Sequence, residues 1–110
     1  MEAQMYGDLE TQKSYWKELQ SDLVTADKKV SNRPCFLYGC SLVAGTGGAA
    51  TAVIRDGHET ASEAVIDLAA LTSSYDTRKF DPPLFLKKGM FVDVGSNVTS
   101  VFVFFMPVKD

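Results

Sequence analysis

The run Gly45-Thr46-Gly47-Gly48-Ala49-Ala50 spells the G-x-G-x-x-A pattern of a dinucleotide-binding turn, and Glu63 or Asp67 downstream could serve as the acid that holds a ribose hydroxyl. That chemistry requires a helix to start at the turn, because the amides at the helix N-terminus hold the pyrophosphate. Only Thr51 to Arg55 lie between the glycines and the turn signal Asp56-Gly57, too few for a crossover helix. The sequence therefore predicts a hairpin loop here. No Lys-Ser or Lys-Thr follows, which excludes a P-loop, and no cofactor is expected. His58 is the sole histidine and titrates near neutral pH when unperturbed. To act as a base it needs a nucleophile and an orienting acid brought to it by the fold. Ser62 and Glu59 are its neighbours in sequence, but closeness in sequence does not create that geometry. Glu59, Glu63 and Asp67 could be imagined as the paired carboxylates of a glycosidase, yet a solvated charged edge is the simpler reading. Asp56 and Asp93 lie in no calcium-loop pattern. Asn97-Val98-Thr99 is a formal glycosylation sequon at a hairpin tip, where turn chemistry favours Asn in any case. No catalytic, cofactor-binding or metal-binding residue is expected.

Cys35 and Cys40 are the only cysteines. If they share one regular strand, their odd spacing puts them on opposite faces, about 16–17 Å apart. A disulfide needs Cα atoms within about 7 Å. Two reduced core thiols are expected, and two cysteines with one histidine do not make a zinc site.

Composition narrows the remaining classes. The chain has 110 residues, enough for one domain, with 45% hydrophobic residues and a formal net charge of -3. Lys and Arg are scattered, with pairs only at Lys28-Lys29 and Lys87-Lys88, so no nucleic-acid groove is expected. No apolar run approaches the ~18 residues of a membrane span. The opening Met1-Glu2-Ala3-Gln4 is polar and acidic, so a secretory signal is not expected.

These residues must be positioned by strands. Residues 34–44 look like a buried strand, with Phe36, Tyr38, Cys40 and Leu42 on one face and Leu37, Gly39, Ser41 and Val43 on the other. Ala50 to Arg55 alternates as a second strand. Residues 60–72 carry a capping-box pattern, Thr60-Ala61-Ser62-Glu63, but also a strand-like Val65-Ile66-Asp67-Leu68; with hairpins on both sides, strand is the expectation. Ser73 to Asp81 reads as a polar connection, Pro82-Pro83 as the entry to an edge strand, Met90 to Val94 as the next strand and Thr99 to Met106 as the last. About seven short strands with turns between them predict an all-β antiparallel sandwich of jelly-roll or immunoglobulin-like topology. Residues 1–30 differ: Leu9, Lys13, Trp16, Leu19 and Leu23 form a thin helical stripe, with Asp8 as a possible N-cap. This suggests an N-terminal segment over 1–30 that either covers the domain or reaches a neighbour as a helical or extended arm, followed by a sandwich over 31–110.

The last strand is apolar on both faces. Val101, Val103 and Phe105 alternate with Phe102, Phe104 and Met106. One set belongs to the core, and the other needs a cover. Three parts of the chain, Cys35-Phe36-Leu37-Tyr38-Gly39, Val53-Ile54-Arg55-Asp56-Gly57 and Leu84-Phe85-Leu86-Lys87-Lys88-Gly89-Met90-Phe91-Val92-Asp93-Val94, carry a resemblance. The segment from Pro34 to Phe105 resembles the small β-sandwich virion proteins of tailed bacteriophages. The resemblance implies a non-enzymatic component of the particle, made in the host cytoplasm: a capsid decoration (cement) protein, a head-fibre base or a tail-associated module. Its expected partners are its own copies, in a homo-oligomer such as a trimer, and the major capsid or another virion protein, with neither nucleic acid nor membrane. The alternative is a carbohydrate- or receptor-binding module of a fibre or tail. Tyr6, Leu9, Tyr15, Trp16 and Leu19 of the N-terminal segment, with Phe102, Phe104 and Met106, are the expected interface.

Overall fold

The computed structural model describes residues 19–108, which form eight strands and, among the described residues, no helix. In chain order these are β1 (Gln20–Val24), β2 (Lys28–Ser31), β3 (Cys35–Ala44), β4 (Ala50–Asp56), β5 (Glu63–Ala70), β6 (Tyr75–Leu86), β7 (Met90–Val94) and β8 (Val98–Pro107). They build two four-stranded sheets, ordered β1-β8-β3-β6 and β2-β7-β4-β5. All pairings are antiparallel. The pairs β1–β8, β2–β7, β3–β6 and β4–β5 are nested, as though one long hairpin had been wound into a β-sandwich. Val24, Leu37, Leu42, Val101, Val103 and Phe105 of the first sheet meet Ile54, Leu68, Met90 and Val92 of the second in the core, each no more than 3% exposed.

Several strands fall where the alternation of the sequence places them, including β5, whose pairing with β4 resolves the helix-or-strand ambiguity of residues 60–72. Three expectations are corrected. The segment from Ser73 to Asp81 is not a connection. Most of it is the first half of β6, which runs unbroken through Pro82 and Pro83. β6 is an edge strand, where charge and proline are tolerated and guard against pairing with other chains, so Asp76, Arg78, Lys79 and Asp81 hid a strand that the ladder to β3 makes plain. Asp76 and Arg78 also close this edge of the sandwich: an Asp76 carboxylate oxygen accepts Ala69 N–H at 3.1 Å, and Arg78 donates to Asp67 O at 3.2 Å, tying β6 to β5 of the other sheet.

The second correction is at the N-terminus. Residues 20–31 are not part of an arm. Gln20 to Val24 pair with Phe105 to Val101, and Lys28 to Ser31 pair with β7. Among the described residues the sandwich thus takes in residues from 20 onward and has eight strands, not seven. Leu23, taken for the end of a helical stripe, lies in β1. The rest of the expected helix, with Asp8, Leu9, Lys13 and Trp16, lies outside the described residues.

The third is in β3. Against β6 the ladder skips residues 80–83 opposite Tyr38, and against β8 the register slips by one between Leu37 and Gly39. This is a β-bulge at Tyr38, an extra residue that resets the alternation. Cys35, Leu37, Cys40, Leu42 and Ala44 consequently all face the core, while Phe36, Gly39, Ser41 and Val43 face outward. Both cysteines are buried on the same face, not opposite ones, and both are free thiols. Burial pushes each thiol up to about 11 from 9.0.

Candidate interaction surface

The two outer faces of the sandwich differ in character. On the β2-β7-β4-β5 sheet, Arg55 and Asp93 form a cross-strand ion pair at 3.0 Å, and Arg55 also donates to Ser62 O at 2.9 Å. Thr51, Val53, Asp67 and Ala69 share that face with them, as does Phe91, which pairs with Arg55, so charged and apolar groups are mixed there. The outer face of the β1-β8-β3-β6 sheet carries a band of exposed large apolar side chains, among them Leu23, Phe85, Phe102 and Phe104.

That second face can be built row by row from the pairing, because directly opposed residues point the same way. One row runs Leu23–Phe102–Ser41–Thr77 from β1 to β6, and the next Ser21–Phe104–Gly39–Lys79. Towards one end follows Met106–Phe36–Phe85, and towards the other Ser100–Val43–Tyr75. Phe102 and Phe104 are each 41% exposed, Phe85 52% and Leu23 60%, whereas Val101, Val103 and Phe105 between them in sequence are 0–3% exposed. Phe36 and Phe85 stack at a 5.1 Å centroid distance. Within the band, the Ser41 and Thr77 hydroxyls satisfy each other at 2.9 Å. Polar side chains on this face are thus partly self-paired, which lowers the penalty of covering it.

Gly39 makes a dent in this band. It lies between Phe104 and Lys79, and with Tyr38, Phe80 and Phe102 it lines a shallow groove of about 520 Å³. A Cβ on Gly39 would sit 3.1 Å from Arg78 O, so the groove floor has no room for a side chain without a shift of the β6 backbone.

The residues that could have done chemistry are engaged elsewhere. A second cavity of about 410 Å³ is lined by Asp56, Gly57, His58, Glu59, Ala61, Ser62, Glu63 and Lys88. His58 Nε2 lies 2.7 Å from Lys88 O and 3.1 Å from Asn32 O. Both are acceptors, so Nε2 carries a hydrogen, and the ring pins the β4–β5, β6–β7 and β2–β3 connections together. Ser62 Oγ accepts the backbone N–H groups of His58 and Glu59 at 3.1 and 3.2 Å. Ser62 and His58 therefore make a loop brace, with no hydroxyl-to-imidazole hydrogen bond. Asp56 is 8% exposed and accepts Lys88 N–H at 2.8 Å and Lys87 N–H at 3.3 Å, anchoring the β6–β7 turn. The Gly45–Gly48 run is the loop between β3 and β4, and β4, not a helix, starts at Ala50. Asn97 adopts a left-handed φ of 61° in the β7–β8 turn and donates its side-chain amide to Ala49 O at 3.2 Å. Among the described residues no cluster of three or more His, Cys, Asp or Glu side chains is placed to hold a metal ion.

Of the residues read from sequence as an interface, Phe102 and Phe104 lie on the apolar band, Met106 is half-buried in its end row and Leu19 is half-buried just before β1. Tyr6, Leu9, Tyr15 and Trp16 lie outside the described residues. Leu23, Phe36, Gly39, Phe80 and Phe85 were missed. The signal for Phe36 and Phe85 was present: Phe36 among core-facing Cys35 and Leu37, and Phe85 between Leu84 and Leu86, repeat the two-faced apolar pattern of β8. No family model, curated protein or solved structure matches the chain.

Proposed function

We propose that this chain is a non-enzymatic structural protein of a tailed-phage particle, a capsid decoration or cement protein that docks by the outer face of its β1-β8-β3-β6 sheet. The observation that carries the reading is the band of Leu23, Phe36, Phe85, Phe102 and Phe104 on the outer face of that sheet, which holds most of the exposed large apolar side chains of the described residues. Contiguous exposed apolar surface on a small domain marks an interaction site. Burying one Phe fully is favourable by about 1.5–3 kcal/mol, so a partner that covers several gains a large driving force. The nested strand pairs are those of a jelly roll, which supports a finer description of the sandwich and disfavours the immunoglobulin-like alternative; viral capsid domains are among the proteins built this way. The fold alone does not select a function, and lectin domains share it.

The test is the copy number of the protein in purified particles. Hundreds of copies fit a capsid surface, a handful fit a tail or vertex position, and absence from particles overturns the reading. The groove over Gly39 favours one other reading, a carbohydrate-binding module, since aromatic rings beside a dent can stack on a sugar. Specific hits on a glycan array with the isolated protein, lost on Phe104→Ser, would support that reading instead.

A further inference from the structure

We infer that the apolar face is an isologous interface on which a second copy of this chain packs, forming a two-fold dimer. This rests on the docking reading above and names the partner for it. The argument is one of self-complementarity. A closed two-fold interface requires each feature on a face to meet its complement on the same face of the other copy. Here β8 and β3 are the two central strands of the sheet, and in one row Phe104 of β8 stands directly beside Gly39 of β3. A two-fold axis lying in the interface, parallel to these strands and midway between them, lays β8 of each copy over β3 of the other and keeps the rows level. Phe104 of each copy then sits over the dent at Gly39 of the other, twice over. Phe102 falls over Ser41, and Leu23 of edge strand β1 over Thr77 of edge strand β6. The one cation in these two rows, Lys79, faces Ser21 and not its own copy, so no like charges meet. Aligned sheets packed face to face cross at about 30°, which disturbs the rows least near the axis, where the Phe104–Gly39 contacts lie.

The size of the face fits. The strands have 5, 10, 10 and 12 residues, which at about 3.3 Å per residue and about 4.8 Å between strands give roughly 600 Å² per copy. The total of roughly 1,200 Å² is at the lower end of stable protein interfaces and describes a reversible dimer.

Sedimentation velocity of the full chain across a concentration series tests the inference, with far-UV circular dichroism to confirm that every variant is folded. Wild type should convert reversibly from monomer to dimer, and Phe104→Ser should weaken association by about tenfold or more. The double variant Leu23→Cys with Thr77→Cys should be captured as a covalent dimer by a bismaleimide with a spacer of about 8 Å, which bridges the ~10 Å between packed sheets, while each single variant should not. An intrachain link is excluded, because within one chain these residues are three strand spacings apart, about 14 Å, beyond the reach of that spacer. The native cysteines are buried and do not compete. A monomer at all concentrations, a trimer, or a dimer that neither cross-links nor responds to Phe104→Ser overturns the inference. A monomer that is nonetheless incorporated into particles overturns the dimer but keeps the docking reading. A dimer with this cross-link that never enters particles overturns the virion role but keeps the dimer.

Discussion

Adjacent phenylalanines on β8 should respond very unequally to the same truncation. Phe105 is 3% exposed and pairs with Leu37 across the ladder, with its ring inside the core. Phe104 is 41% exposed and pairs with Gly39, outside. Truncating a buried Phe to Ala loses the transfer free energy of the ring and leaves a cavity, together about 3–5 kcal/mol. Phe104 already keeps much of its surface in water and leaves no enclosed void, so its truncation should cost about 1 kcal/mol. For a domain of this size the two values correspond to a fall in Tm of roughly 10–25 °C for Phe105→Ala and a few degrees for Phe104→Ala. Urea and thermal unfolding followed by far-UV circular dichroism would measure both, at low protein concentration so that self-association does not add to apparent stability. Equal losses in the two variants would refute the assignment of inner and outer faces on which the interaction surface rests.

Two further outcomes follow from the same structure. Asp56→Ala should destabilise the domain by about 2–4 kcal/mol, read as a lower urea midpoint, because it removes a buried carboxylate from the amides of Lys87 and Lys88. Cys35 and Cys40 should resist thiol reagents in the folded protein and react on unfolding. Their folded pKa values are raised from 9.0 to about 11, so the unfolded chain releases these protons first; the stability they contribute is complete below about pH 9 and is lost as pH rises towards 11.

Much of the sandwich was legible in the sequence because strand alternation sorts residues by face: Val101, Val103 and Phe105 in β8, Met90 and Val92 in β7, and Ala50, Ala52 and Ile54 in β4 each form one alternating set, and the structure turns each set inward. The two-faced apolar pattern of β8 likewise pointed to Phe102 and Phe104. The rest was hidden for identifiable reasons. A bulge adds one residue without leaving a composition signal, so Tyr38 inverted the reading of every residue after it in β3. Edge strands need no apolar outer face, which disguised the start of β6 as a loop, and β1 as the tail of a helix. The apolar band itself is a property of neighbours: Phe104 beside Gly39, and Phe36 beside Phe85, are adjacent only once β8, β3 and β6 are paired. The brace that His58 makes with Asn32 and Lys88 joins residues far apart in sequence, and no local pattern announces it.

The most direct measurement of the docking assignment is a competition for incorporation into particles between the wild-type chain and the Phe102→Ser, Phe104→Ser double variant, after both are shown to be folded to the same extent. The variant should be excluded from particles at equal supply. Incorporation of the two proteins in equal amounts would contradict the assignment of this face as the docking surface.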